Sequence, residues 1–78
     1  MVLDNSPDNV GVEDPAVRIG SAIRLARKEA RLTQQQLGEL AGFSDRTVRD
    51  IELGTGSAGL RVVLEILDVL GLTLEVSK

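Results

Sequence analysis

Seventy-eight residues with a formal net charge of −3 allow one small domain. The chain has no cysteine and no histidine, which excludes thiol chemistry, disulfides and the usual zinc sites. Its single aromatic, Phe43, argues against stacking on single-stranded bases. A chain this short buries little core, so a partner subunit is expected. No apolar run approaches the length of a membrane span, and the acidic, polar N-terminus does not read as a signal peptide. The expected location is cytoplasmic, with no membrane partner.

Residues 1–14 are rich in Asp, Asn, Gly and Ser and show no apolar period, so they read as a disordered acidic segment. Asp14-Pro15 is a helix start, with Asp14 as cap and Pro15 at the first helical position. The first helix should run from about Pro15 to Ala30, with Ile19, Ala22, Ile23, Ala26 and Ala30 as its apolar stripe.

Thr33 and Gln36 then form a capping box opening a second helix, on which Leu37, Leu40 and Ala41 share a face. Gly42 supplies the left-handed residue that ends it. Ser44 caps a third helix, whose apolar face is Val48 and Ile51. Two capped helices joined by so short a turn make a helix-turn-helix, and the second is built to enter a DNA major groove. Counting Gln34 as first, the fifth residue is Gly38, where tightly crossing helices leave no room for a large side chain. The ninth is Gly42, where the turn needs a positive φ. Leu37, Ala41, Phe43, Val48 and Ile51 fall at inward-facing offsets, so Phe43 reads as core and not as a ligand contact.

Leu53 to Gly59 is a glycine-rich loop. Leu60, Val63, Leu64, Ile66, Leu67 and Leu70 are spaced for the buried face of a fourth helix, which Gly71 ends. Leu72-Thr73-Leu74-Glu75-Val76 alternates apolar and polar, a strand signal. Such a strand finds no partner inside a four-helix domain. The expected solution is antiparallel pairing with the same strand of a second subunit, with Leu72, Leu74 and Val76 as dimerisation residues.

Charge is unevenly spread. Residues 1–14 carry four acids and no base, whereas residues 15–53 carry seven bases against five acids. The motif-bearing part is mildly basic. Indiscriminate polyanion binding is disfavoured, and specific binding through few phosphate contacts is allowed.

Arg27, Thr33-Gln34, Leu37, Ala41-Gly42, Ile51-Glu52, Gly54 and the Leu60-to-Gly71 helix together resemble the Cro/CI-type (Xre-like) repressor domain. The resemblance covers roughly residues 18–71. It implies an all-α, compact four- to five-helix, lambda-repressor-like domain over residues 15–71, with residues 72–78 as a C-terminal dimerisation strand. That strand, directly after the fourth helix, resembles a narrower group, the HipB-type antitoxins that partner HipA-type kinase toxins.

The resemblance also implies roles. Arg27 matches an arginine that pairs with a glutamate at the end of the third helix, here Glu52. A guanidinium fork suits a bidentate carboxylate in any case, although a solvated arginine would also fit Arg27's place on the flank of the stripe. Ser44, Asp45, Arg46 and Arg49 match the base-reading face. Arg46 and Arg49 share a face opposite Val48 and Ile51, and arginine to guanine is the commonest specific contact. Asp45 departs from the usual amide or base. It could accept from cytosine N4, orient an arginine, or stabilise the helix dipole. Gln34, Thr47 and Ser57 are the candidate phosphate-binding residues, with Gln34 equally readable as a plain helix-start residue. Asp50 reads as tuning Arg46 or Arg49.

Glu39, Glu65 and Asp68 are spaced as solvated helix faces, and no nucleophile stands with a base. No catalytic residue, cofactor or metal site is expected. The leading expectation is a homodimeric repressor on a palindromic double-stranded operator, acting as the autoregulating antitoxin of a HipA-like serine/threonine kinase toxin. Its alternatives are a stand-alone Xre-type regulator without a toxin and a protein-interaction adaptor that does not bind DNA.

Overall fold

The computed structural model describes residues 2–4, 14–55 and 58–77. Their elements run β1 (Val2–Asp4), α1 (Pro15–Glu29), α2 (Gln34–Ala41), α3 (Asp45–Leu53), α4 (Leu60–Val69) and β2 (Glu75–Ser77). Among the described residues there are thus four helices and one small sheet. None of these helices is long and apolar enough to cross a membrane.

Three of the four helices begin at a side-chain cap, and α4 begins at Gly59 without one. Asp14 Oδ1 accepts from the Ala16 N–H at 2.9 Å, ahead of Pro15, whose missing N–H would have no partner there. Thr33 and Gln36 close the capping box, Gln36 N–H to Thr33 Oγ1 at 3.0 Å and Thr33 N–H to Gln36 Oε1 at 2.8 Å. Ser44 Oγ accepts from the Thr47 N–H at 3.2 Å.

The centre of the domain is Ile23, Leu37, Val48, Ile51, Ile66 and Leu67, with Ile19, Ala41, Phe43, Val62, Val63, Leu70, Leu72 and Leu74 packed around it. Helix α3 is the hub, since α1 and α2 both pack on it, while α2 also meets α4. Three expected core leucines lie outside. Leu40, Leu60 and Leu64 are 62%, 65% and 42% exposed. The buried face of α4 centres on Val63, Ile66, Leu67 and Leu70. At 3.6 residues per turn, Leu64 is rotated roughly 100° from Val63 and comes out at the edge. Apolar spacing alone does not distinguish the middle of a stripe from its margin. Ala30, too, is exposed, because α1 stops one residue earlier.

The ends of the chain differ most from expectation. β2 covers Glu75–Ser77, not residues 72–76, and it pairs in parallel with β1 of the same chain, in the register Val2↔Glu75, Leu3↔Val76, Asp4↔Ser77. Residues 2–4 are therefore an ordered strand and not part of a disordered segment. Residues 5–13 lie outside the described residues. Parallel strands need a long crossover, and here all four helices lie between them. The alternation Leu72-x-Leu74 reports burial rather than strand pairing, because both leucines pack against the helical core and only Val76 stays largely exposed, at 71%. Of the three expected dimerisation residues, Leu72 and Leu74 are thus already used within the chain.

Candidate nucleic-acid interface

The turn between α2 and α3 sets the interface. Gly42 has φ +86°, and its N–H and that of Phe43 both donate to the Gly38 carbonyl, at 2.8 and 2.7 Å. A Cβ on Gly38 would stand 2.5 Å from the Phe43 carbonyl oxygen. The constraint on Gly38 therefore comes from the backbone of the turn, not from a crossing helix as the spacing suggested. Phe43 is half-buried against the core, which fixes the entry of α3.

With Val48, Ile51 and Glu52 buried, α3 turns its other face outward. Arg46 and Arg49 lie on that face, both exposed, and the Arg46 side chain is 81% exposed. Arg46 Nε stands 4.0 Å from Asp50 Oδ2. An exposed pair at this spacing contributes only tenths of a kcal/mol, so it orients the guanidinium without tying it down. Asp45 is exposed in the first turn, where a carboxylate complements the helix dipole. Ser44 and Thr47 are joined Oγ to Oγ1 at 3.0 Å, so the Ser44 oxygen that caps α3 is also held by the Thr47 hydroxyl. Ser57 lies outside the described residues.

Behind this face sits a buried polar network. Arg27 Nε donates to Glu52 Oε2 at 2.6 Å and Nη2 to Oε1 at 2.9 Å. Its Nη1 donates to the Leu32 carbonyl at 2.8 Å. The hydrogen bond to Glu52 raises the Arg27 pKa, burial opposes this, and the charge of Glu52 adds to the rise. Gln34 Nε2 also reaches Glu52 Oε1, at 3.3 Å. The amide singled out for phosphate thus leans inward at the start of α2. The network ties α1, the α1–α2 turn, α2 and α3 into one frame, and no buried side-chain polar atom among the described residues lacks a partner.

Sequence reasoning missed one residue of this frame. Gly20 is buried in α1, and a Cβ there would run into the carbonyls of Ile51 and Glu52. Its position, three residues before Ile23 inside an apolar stripe, is the available signal, since a glycine within a helix marks a close approach.

The helix-turn-helix family model HTH_3 matches residues 23–76, which covers α2, the turn, α3 and α4. An uncharacterized HTH-type transcriptional regulator, y4mF, of Sinorhizobium fredii (strain NBRC 101917 / NGR234) is 36% identical over 58 residues, 74% of this chain and 76% of that protein. Multiprotein-bridging factor 1 of Candida albicans (strain SC5314 / ATCC MYA-2876) is 31% identical over 72 residues, 92% of this chain but 48% of that protein. The chain therefore spans about half the length of this second relative. On the capped turn, the exposed third helix and these matches, the chain belongs to the helix-turn-helix family HTH_3.

Proposed function

We propose that this chain is a sequence-specific, double-stranded-DNA-binding transcriptional regulator that works as a homodimer on a palindromic operator. The observation that carries the reading is the outward face of α3, where Arg46 and Arg49 stand exposed on a helix fixed at both ends. Arginine in the major groove reads guanine O6 and N7. Arg46, Arg49 and Asp45 are the base-reading side chains, with Ser44 at the helix start. Thr47 contributes a phosphate contact through its hydroxyl, and Gln34, whose side-chain amide is held toward Glu52, contributes one through its backbone N–H at the start of α2. The name of the Sinorhizobium relative supports the same reading. The name of the Candida relative speaks of bridging proteins, which suits an adaptor. Two exposed arginines on a capped recognition helix favour DNA instead.

The test is selection from random duplex DNA. Enrichment of a palindrome with half-sites about one helical turn apart, about 34 Å, is expected. Failure to enrich any sequence contradicts the proposal.

A narrower reading makes the chain the autoregulating antitoxin of a HipA-like serine/threonine kinase toxin. What favours it is the short strand β2 after α4, which here pairs with β1 of the same chain and not with a second subunit. A kinase-like reading frame next to the gene, whose product co-elutes with this chain after co-expression, is the expected result. A gene without such a neighbour leaves a stand-alone Xre-type regulator.

A further inference from the structure

Helices α1, α3 and α4 end in the same hydrogen-bonded closure. In α3, the N–H groups of Gly54 and Thr55 donate to Ile51 and Asp50, both at 3.0 Å. In α4, those of Gly71 and Leu72 donate to Asp68 and Leu67, at 3.0 and 2.8 Å. In α1, those of Arg31 and Leu32 donate to Lys28 and Arg27, at 3.0 and 3.1 Å. The closure puts one residue in the left-handed region, which is Gly54 at φ +74°, Gly71 at φ +71° and, at the end of α1, Arg31 at φ +60°. Glycine enters that region freely, whereas an L side chain enters it at a cost. Arg31 is the one non-glycine residue with positive φ among those described.

Its side chain does not recover that cost among the described residues. Arg31 is exposed, and among the described residues its guanidinium makes no hydrogen bond or ion pair. Its backbone, in contrast, is held on both sides. Before it the Ala30 N–H donates to the Ala26 carbonyl, and after it the Leu32 carbonyl takes the Arg27 hydrogen bond while Thr33 is locked in the capping box. Arg31 therefore projects a permanently charged, planar donor from a rigid turn, no more than about 11 Å along the chain from Gln34.

We infer that Arg31 is a DNA-phosphate contact, gripping the backbone beside the stretch that α3 reads. The inference rests on the proposed DNA-binding function and adds to it a residue outside the helix-turn-helix itself. A guanidinium matches phosphate bidentately, and each phosphate neutralised adds to the salt dependence of binding.

The experiment measures affinity for the selected operator against salt, together with Tm, for the full chain and for Arg31→Gly, Arg31→Asn and Arg31→Lys. Glycine and asparagine both accept the left-handed conformation, so neither variant endangers the fold. The expected result is a loss of roughly 5–10-fold in affinity for Arg31→Gly and Arg31→Asn. The salt slope should fall by about 1.8, the value for two phosphates, one for each subunit of the bound dimer. The Arg31→Gly Tm should equal or exceed that of the parent by a few degrees. Arg31→Lys should keep the parental slope. Unchanged affinity and slope in Arg31→Gly overturn the inference. So does an equal loss in Arg31→Lys with no change of slope, which would mark a structural effect. Failure of the parent chain to select any duplex contradicts the DNA-binding reading itself, an outcome distinct from both.

Discussion

Arg27 and Glu52, 25 positions apart, meet through two hydrogen bonds of 2.6 and 2.9 Å with both side chains almost wholly withdrawn from water. The pair joins α1 to the end of the recognition helix. Burying two charges is worthwhile only when both are fully bonded, and Leu32 and Gln34 complete the set. Removing one partner strands the other. Arg27→Ala is therefore expected to cost about 3–5 kcal/mol. At about 4–8 °C per kcal/mol for a domain of this size, its Tm should fall by more than about 10 °C. Lys28→Ala, on the exposed side of the same helix, should leave Tm within about 2 °C. Equal melting curves for the two variants contradict the role given to the pair. The folded-state pKa of Arg27 is raised by Glu52. Its contribution is thus fully present below the unfolded-state pKa and lost only as pH rises through the folded one, in the strongly alkaline range. Melting across pH 6–9 should show no step from the arginine.

The two buried glycines predict a reversal of helix propensity. Alanine normally favours a helix over glycine by about 1 kcal/mol. At Gly20 the added methyl meets the carbonyls of Ile51 and Glu52, and at Gly38 that of Phe43, none of which is a flexible side-chain end. Gly20→Ala and Gly38→Ala should each destabilise by about 1–3 kcal/mol, measured by urea denaturation. Gly20→Ala should also loosen the α1–α3 contact that carries Arg27 and Glu52. A gain in stability from either variant contradicts the close approach.

The C-terminal segment has two separable contributions. Leu72 and Leu74 pack on the core, and β2 pairs with β1. Truncation after Gly71 removes both. Since a fully buried leucine contributes about 1.5–3 kcal/mol, loss of two half-buried ones should cost on the order of that amount. Sedimentation of the truncated and full chains tests the proposed dimer. We propose that exposed Val76 joins this segment to a second subunit, so loss of dimer on truncation is the expected outcome. An identical monomer–dimer equilibrium contradicts that part of the proposal while leaving the stability effect in place.

Local chemistry was the legible part of this fold. Asp14-Pro15, Thr33 with Gln36, Gly42 and Ser44 each state a helix boundary within three or four residues, and those boundaries are where the helices begin and end. Contacts between distant residues were not legible in the same way. No period relates Arg27 to Glu52, and family resemblance was the guide. Val2-Leu3-Asp4 is too short to show alternation, and nothing near it indicates that Glu75–Ser77 will lie alongside. Gly20 looks like any small residue in a stripe until α3 is placed against it. Arg31 reads as one more surface cation until its backbone is seen in a conformation that the neighbouring helix ends reserve for glycine.

The measurement that bears most directly on the central claim is operator affinity of the Arg46→Ala/Arg49→Ala double variant beside its melting temperature. Both side chains are exposed, and among the described residues the one ion pair near them is a weak surface contact. Folding should not change, and Tm should stay within about 2 °C of the parent. Each arginine that reads a guanine contributes about 1–3 kcal/mol, so specific affinity should fall by at least about tenfold, with relaxed preference at the contacted positions of each half-site. A folded double variant that binds the selected operator as tightly and as selectively as the parent contradicts the assignment of α3 as the reading element.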